Sequence, residues 1–256
     1  MTEMTETAAP DAAPRPLIER HRHELKRRHL RVSGIERLSP AMLRLTCEGP
    51  DMADFPSLSP EDHVKLIVPD GQGGTAMRDY TPRRFDTARG VLVLDFAIHE
   101  AGPATVWALA AQVGDAVEIG GPRGSQVIAG PIADWVLIGD ETALPAIGRR
   151  IEEMAAGVPV VSLVAVPGAA DEQAFGTQAR HAARWIHRAD AADPAPVLAA
   201  LDGLAIGPRT FVWVAAEAGV ARAVKEALIA RGVARAWIKA AGYWVAGEAD
   251  ASDKDM

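Results

Sequence analysis

The chain has little of what would staple, anchor or fingerprint a protein. One cysteine, Cys47, leaves no disulfide framework and no cysteine-ligated iron–sulfur cluster to build. No apolar run reaches the roughly 18 residues of a membrane span, so integral membrane association is not expected. The segment after Met1 is acidic and rich in Ala and Pro, without a hydrophobic signal core, and the cytoplasm is the expected location. Positive charge is short too. The 27 Lys and Arg against 34 Asp and Glu leave a net charge of −7, which argues against nucleic acid as the main partner. The G-x-G-x-x-G fingerprint is missing, so a standard dinucleotide fold of that type is not expected.

What is present suffices for a core. The 256 residues are 48% hydrophobic, enough for one large domain or two ordinary ones. Residues 1–16 and 249–256 read as disordered tails. Charge is uneven at the start, where seven Arg or Lys between Arg15 and Arg31 face only Glu19 and Glu24. That segment is read as a solvated lead-in to the first strand, with an anionic-ligand or membrane-surface patch as the alternative. His21, His23 and His29 lack the spacing and acidic company of a metal site.

Two textures divide the rest. Residues 17–128 show short apolar stretches cut by turn residues, among them "HLRVSGIERL", "AMLRLTCEG", "DHVKLIVPD", "GVLVLDFAIH" and "DAVEIGGPRG". One helical run, "GPATVWALAAQVG", interrupts them. This pattern predicts an antiparallel six-stranded β-barrel. Residues 129–248 alternate near-continuous apolar runs such as "DWVLIGD" and "TFVWVAAEAG" with helical stretches. Such alternation predicts an α/β domain with a parallel sheet covered on both faces.

Ligands of open parallel sheets lie beyond the carboxyl ends of the strands. In "DWVLIGDETALPAIGRR" that rim is Gly139, the polar turn Asp140, Glu141 and Thr142, and then Ala143. A second strand end places Ala216, Glu217 and Gly219 on the same rim. In the first half, "RDYTPRRFD" sets Tyr80 and Thr81 among Arg78, Arg83 and Arg84. Arginine donors match phosphate oxygens, and a ring with a neighbouring hydroxyl suits a flat heterocycle. From these residues alone, a charged hairpin loop fits as well.

Barrel first and α/β domain second, with R-x-Y-T in the barrel, resembles the ferredoxin–NADP reductase superfamily. The chain more closely resembles the siderophore-interacting proteins, which are flavin-dependent ferric-siderophore reductases. The stretches that carry this are "DHVKLIVP", "RDYTPRRFD", "LDFAIHEAGPATVWALAAQVGDAVEIGGPRGS", "GDETALPAIGRRIE" and "GYWVAG".

The resemblance implies that Arg78, Tyr80 and Thr81 hold FAD, that Arg83 extends the phosphate contact, and that His99, Gly102, Pro103, Ala104 and Thr105 form a second flavin segment. It implies NAD(P)H at the rim of the second half, with Gly139, Asp140, Glu141, Thr142, Ala143 and Glu217 as its contacts. Lys65 and Arg123 match family positions that serve an anionic ferric siderophore. An arginine that the family often carries after Tyr-Trp is here Val245, and Lys239 is the candidate to compensate. The implied protein is a monomeric reductase without a general acid or base. A general flavin reductase, an oxygenase reductase component and a non-catalytic siderophore-binding module are the alternatives. The choice between NADH and NADPH stays open, with Asp171 and Glu172, or Arg149 and Arg150, as candidate discriminators.

Overall fold

The computed structural model describes residues 15–98 and 102–248, together with Asp253. Seven antiparallel strands make the first layer: β2 (Arg27–Ser39), β3 (Met42–Glu48), β4 (Val64–Pro69), β5 (Thr75–Tyr80), β6 (Pro82–Asp86), β7 (Val91–Ala97) and β8 (Ala116–Gly120). Their order is β5-β4-β8-β2-β3-β7-β6. The two edge strands, β5 and β6, are consecutive in the chain with only Thr81 between them. The sheet therefore curls until its edges meet at "RDYTPRRFD", giving a half-barrel of seven strands where six were expected. The strand hidden from the pattern is β6, whose sequence "PRRFD" is too charged to announce itself. Pro82 opens it, and an edge is where a residue without an N–H belongs.

Alternation explains the layer's interior. In β4, Val64, Leu66 and Val68 are buried while Lys65 is exposed. These side chains meet Leu30, Val32, Leu45, Leu92, Leu94 and Ile119 in one cluster. Helix α1 (Pro103–Ala110) buries Ala104, Thr105 and Ala108 against it and packs on β4 and β5. Outside this sheet, β1 (Leu17–Arg22) pairs antiparallel with β9 (Gly124–Ala129) as a two-stranded ribbon. Every residue of β1 is exposed.

The second layer is parallel: β10 (Asp134–Asp140), β11 (Pro159–Val166), β12 (Arg180–His187), β13 (Thr210–Glu217) and β14 (Ile238–Trp244), ordered β12-β11-β10-β13-β14. Helices α3 (Ala195–Ala200) and α4 (Ala218–Ala230) cover one face with Val197, Leu201, Val220, Val224 and Leu228. On the other face, among the described residues, the α-helix is α2 (Leu144–Glu153). The connection from β11 to β12 holds a short 3-10 turn at Ala169–Asp171 and no α-helix. The half-barrel makes up the cover, contributing Met42, Leu38 and Ala97 to that core. Of the expected C-terminal tail, Asp253 is described. It pairs with Gly242 and meets Arg222 at 3.0 Å.

Contact between the layers is polar at its margins. Arg83, on β6, is 2% exposed and holds Glu152 of α2 through two bonds of 2.7 Å, with Asp95 3.6 Å away. Arg149 donates to Ser57 Oγ and to the Pro82 carbonyl at 2.8 and 3.1 Å. Arg150 stacks 4.8 Å over Trp135 and approaches Glu61 at 3.5 Å. Asp171 accepts Ser39 Oγ at 2.7 Å and the Ala41 amide at 2.8 Å.

Burial works against the ionised carboxyl of Glu152, but hydrogen bonds and charge from Arg83 and Arg84 prevail and hold it below its ordinary range. This brace therefore stabilises the fold above the usual carboxylate pKa and is lost as pH falls through the lowered value. Glu152→Ala leaves Arg83 buried and without its main partner, and should cost about 3–5 kcal/mol in urea unfolding. Stability of Glu152→Gln should depend less on pH than the parent's across the acid range. An unchanged urea midpoint for Glu152→Ala would show that the brace carries no weight.

Candidate functional site

The seam of the half-barrel has two sides. Register places Arg78 opposite Leu66 and Tyr80 opposite Val64, so both turn towards the interior side, while Asp79 turns outward to Lys65. Tyr80 rests on Phe96 with ring centroids 4.3 Å apart, and Phe96 reaches Trp107 of α1 at 6.2 Å. Burial pushes the Tyr80 hydroxyl well above its ordinary pKa, so it stays neutral. Thr81, half-buried, joins the two edges.

Helix α1 packs on β4 and on β5, the strand that carries Arg78 and Tyr80. Its N-cap, Gly102, supplies no side-chain acceptor, and the first turn carries no acidic residue. A Cβ on Gly102 would meet no atom within 4 Å among the described residues. A helix start whose N-cap residue offers no side-chain acceptor, on a strand pair that carries an arginine, suits an anionic diphosphate. Pro103 opens the helix, and Ala104 and Thr105 lie buried in its first turn. These residues fit FAD in chemistry: donors for a pyrophosphate, and an aromatic ring with a hydroxyl for a flat heterocycle. His99 lies outside the described residues.

Arg83 has a different position from the one expected. Its guanidinium is buried between Glu152 and Asp95, so its charge is already met inside the protein and it braces the two layers. The Arg149 and Arg150 guanidiniums are spent in the same interface, and Asp171 on Ser39 and Ala41. None of the three faces the nucleotide rim as a free discriminator. Glu172 pairs with His187 at 2.8 Å.

At the rim itself the strand order reverses between β10 and β13, the switch point where open α/β sheets take ligands. Gly139 is required there by packing: a Cβ would lie 2.7 Å from the Ala215 carbonyl oxygen and 2.8 Å from Ala143 Cβ. Asp140, 2% exposed, is the hub. Its carboxylate accepts Thr142 N and Oγ1 at 2.9 and 2.5 Å, and the Glu217 amide and Trp244 Nε1 each at 2.9 Å. Glu217 caps α4 by accepting from the Val220 amide at 3.0 Å and also accepts from Ala246 N at 3.2 Å. Ala143 is buried beneath the turn.

Glu141 meets Arg188 at 2.5 Å. Burial, with the nearby Asp140 charge, pushes the Glu141 carboxyl up to about 7 against the pull of Arg188. Together with Gly139, Ala191 and Asp193, Asp140 and Arg188 line a small cleft at this end of the sheet. Arg188 and Trp244 were not assigned site positions in the sequence. The signal was there in "RWIHRAD", an arginine at the end of an apolar strand.

The expected substrate cations separate. Lys65 is half-exposed and 2.8 Å from Asp79. Arg123 is exposed. Lys239 is tied between the layers, 2.6 Å from Glu61 and 2.8 Å from Gln126. It stands at the start of β14, whereas Val245 follows the strand's other end beside Trp244. Lys239 thus cannot replace an arginine at position 245.

The model of the siderophore-interacting protein family matches residues 132–247, and that of the siderophore-interacting FAD-binding domain matches residues 31–76 and 71–126. The chain is 30% identical over 248 residues to an NADPH-dependent ferric-chelate reductase of Escherichia coli, covering 88% of this chain and 96% of that protein. It is 29% identical over 182 residues to the ferric vibriobactin reductase ViuB of Vibrio cholerae, covering 63% of this chain and 66% of that one. Among solved structures, a siderophore utilization protein from T. fusca superposes with a TM-score of 0.84 at 33% identity, over 94% of this chain and 100% of that one. With its curled antiparallel half and its parallel-sheet half both matched, the chain belongs to the siderophore-interacting protein family.

Proposed function

We propose that the protein is an NAD(P)H-dependent flavoenzyme that reduces ferric siderophores and thereby releases iron(II). One observation carries the reading: helix α1, whose N-cap residue offers no side-chain acceptor, packs on β5, the strand of Arg78 and Tyr80, in a half-barrel buried against a parallel sheet. The names of the similar reductases support the substrate class. Bound FAD would supply the exchange between a two-electron hydride donor and a one-electron iron acceptor. Arg78 and the first N–H groups of α1 hold the diphosphate, Tyr80 bounds the ring, and Thr81 hydrogen-bonds a ring heteroatom. Asp140 and Glu217 fix the two loops of the nucleotide rim so that Glu141 and Thr142 face the dinucleotide. No side chain has to donate or remove a proton. Iron(II) binds hard oxygen ligands less tightly, so reduction frees it. The same reading has a cytoplasmic monomer without an iron–sulfur cluster, and neither nucleic acid nor membrane as a partner.

Purified protein should be yellow, bleach with NAD(P)H under anaerobic conditions, and regain colour on addition of a ferric siderophore. Bleaching without reoxidation by any ferric siderophore would sink the reading. Arg78→Ala removes a charge-assisted contact worth about 1.5–3 kcal/mol, so FAD affinity should fall on the order of ten- to a hundred-fold.

The rim makes a separate prediction. With its pKa pushed up to about 7, the Glu141 carboxyl should lose its charge as pH falls through that range, which eases repulsion of a nucleotide phosphate, and regain it as pH rises. NADH should therefore bind more tightly as pH falls from about 8 to 6, and Glu141→Gln should flatten that profile. An identical slope in the variant would assign the titration to another group.

A further inference from the structure

Three neighbouring strand ends come together at the nucleotide rim. Asp140, the last residue of β10, lies opposite Ala165, so Glu141 falls beside Val166 at the end of β11. Arg188, the residue after β12, donates its amide to the Val166 carbonyl at 3.0 Å. The Glu141–Arg188 ion pair therefore lies across the carboxyl end of β11, the second strand of this sheet in chain order. In doubly wound nucleotide-binding sheets that region meets the adenosine ribose, where an acidic group suits the diol of NADH and an arginine the 2′-phosphate of NADPH. This chain places one of each there, and binds them to one another.

The pair is closely held. The Arg188 side chain is 5% exposed and that of Glu141 12%, and Arg188 Nη2 donates to Glu141 Oε2 at 2.5 Å. The remaining charge at this end is negative. The cleft that Arg188 lines also presents Asp140 and Asp193, among apolar side chains such as Val197, Val214 and Val220. His187, the residue before Arg188, meets Glu172 at 2.8 Å. The guanidinium in this cleft is thus already neutralised, and carboxylates outnumber it.

A 2′-phosphate arriving here meets two obstacles. To reach Arg188 it must displace Glu141, whose carboxylate would then stay largely buried beside Asp140 without its cation. To bind with the pair intact it must stand near Glu141, Asp140 and Asp193 with no cation left to offset them. A ribose diol meets neither obstacle, because its hydroxyls carry no charge and both donate and accept. We infer that the Glu141–Arg188 pair makes the coenzyme site select NADH against NADPH, with Glu141 as the excluding group. This rests on the NAD(P)H-dependent reading above and names its reductant.

The test compares AMP with adenosine 2′,5′-bisphosphate, which differ by the 2′-phosphate alone, in calorimetric titrations of the FAD-loaded protein. The parent should bind AMP about tenfold or more tightly than the bisphosphate. Glu141→Gln removes the charge and keeps the shape, so it releases Arg188 to a phosphate. In that variant the affinity ratio should move about tenfold or more towards the bisphosphate. Adding Arg188→Gln should abolish the gain, whereas a merely loosened turn would keep it. Anaerobic bleaching of the parent should likewise be faster with NADH than with NADPH. Equal or tighter binding of the bisphosphate by the parent, binding of neither compound, or an unmoved ratio in Glu141→Gln would overturn the proposal. Neither compound can reduce a flavin. A preference for AMP in a protein that no ferric siderophore reoxidises would therefore leave the selection standing and remove only the reductase reading.

Discussion

Among the described residues, one face of the parallel sheet has a single ten-residue α-helix to cover it, and the remaining architecture answers that shortfall. With no helix between β11 and β12, Val160, Val164, Phe211 and Trp213 would meet water unless another layer closed over them. The half-barrel does so through Met42 and its neighbours. Burying two layers against each other brings charged groups with it, because α2 is amphipathic and its polar residues also lie in the contact. Arg83, Arg149 and Arg150 are satisfied there by carboxylates, a hydroxyl, a carbonyl and an indole face. Guanidinium suits such a place because its planar fork binds and stacks at once.

The site follows from the same contact. The seam at Thr81 is where a sheet of seven strands runs out, so Arg78 and Tyr80 lie at an edge rather than in a closed wall. At the other layer the reversal of strand order opens a gap between β10 and β13, and Asp140 holds that gap in shape. Its four donors come from its own turn, from the end of β13 and from the end of β14. A carboxylate so fully used is a structural pin. The neighbouring Glu141, pulled by Arg188 and pushed by Asp140, is the group left to respond to ligand and pH.

The broad division into antiparallel and parallel halves was legible because buried strands repeat with period two or run continuously apolar. Strand β6 was not, since "PRRFD" buries Arg83, a residue whose type alone signals a surface. The same property misdirects Arg149, Arg150 and Lys239: local sequence shows charge, and only tertiary structure shows which carboxylate is waiting. The glycine at the end of β10 was readable as the close of a buried strand, and it permits a close backbone approach that a Cβ would block. Asp140 was placed on the rim correctly by its position after an apolar strand. Its partner Trp244 is more than 100 residues away in the chain, beyond any local pattern.

The interlock between the layers also bears on how such a protein can change over time. Arg83 finds Glu152, Ser57 finds Arg149, and Ser39 finds Asp171, each pair split between the two halves. A recombination that joined this half-barrel to a relative's nucleotide-binding half would strand buried ions on both sides unless the relative carried the same partners. The halves are thus bound to a shared inheritance, and exchange of modules, common among multidomain enzymes, is closed to this chain except where both members of each pair travel together.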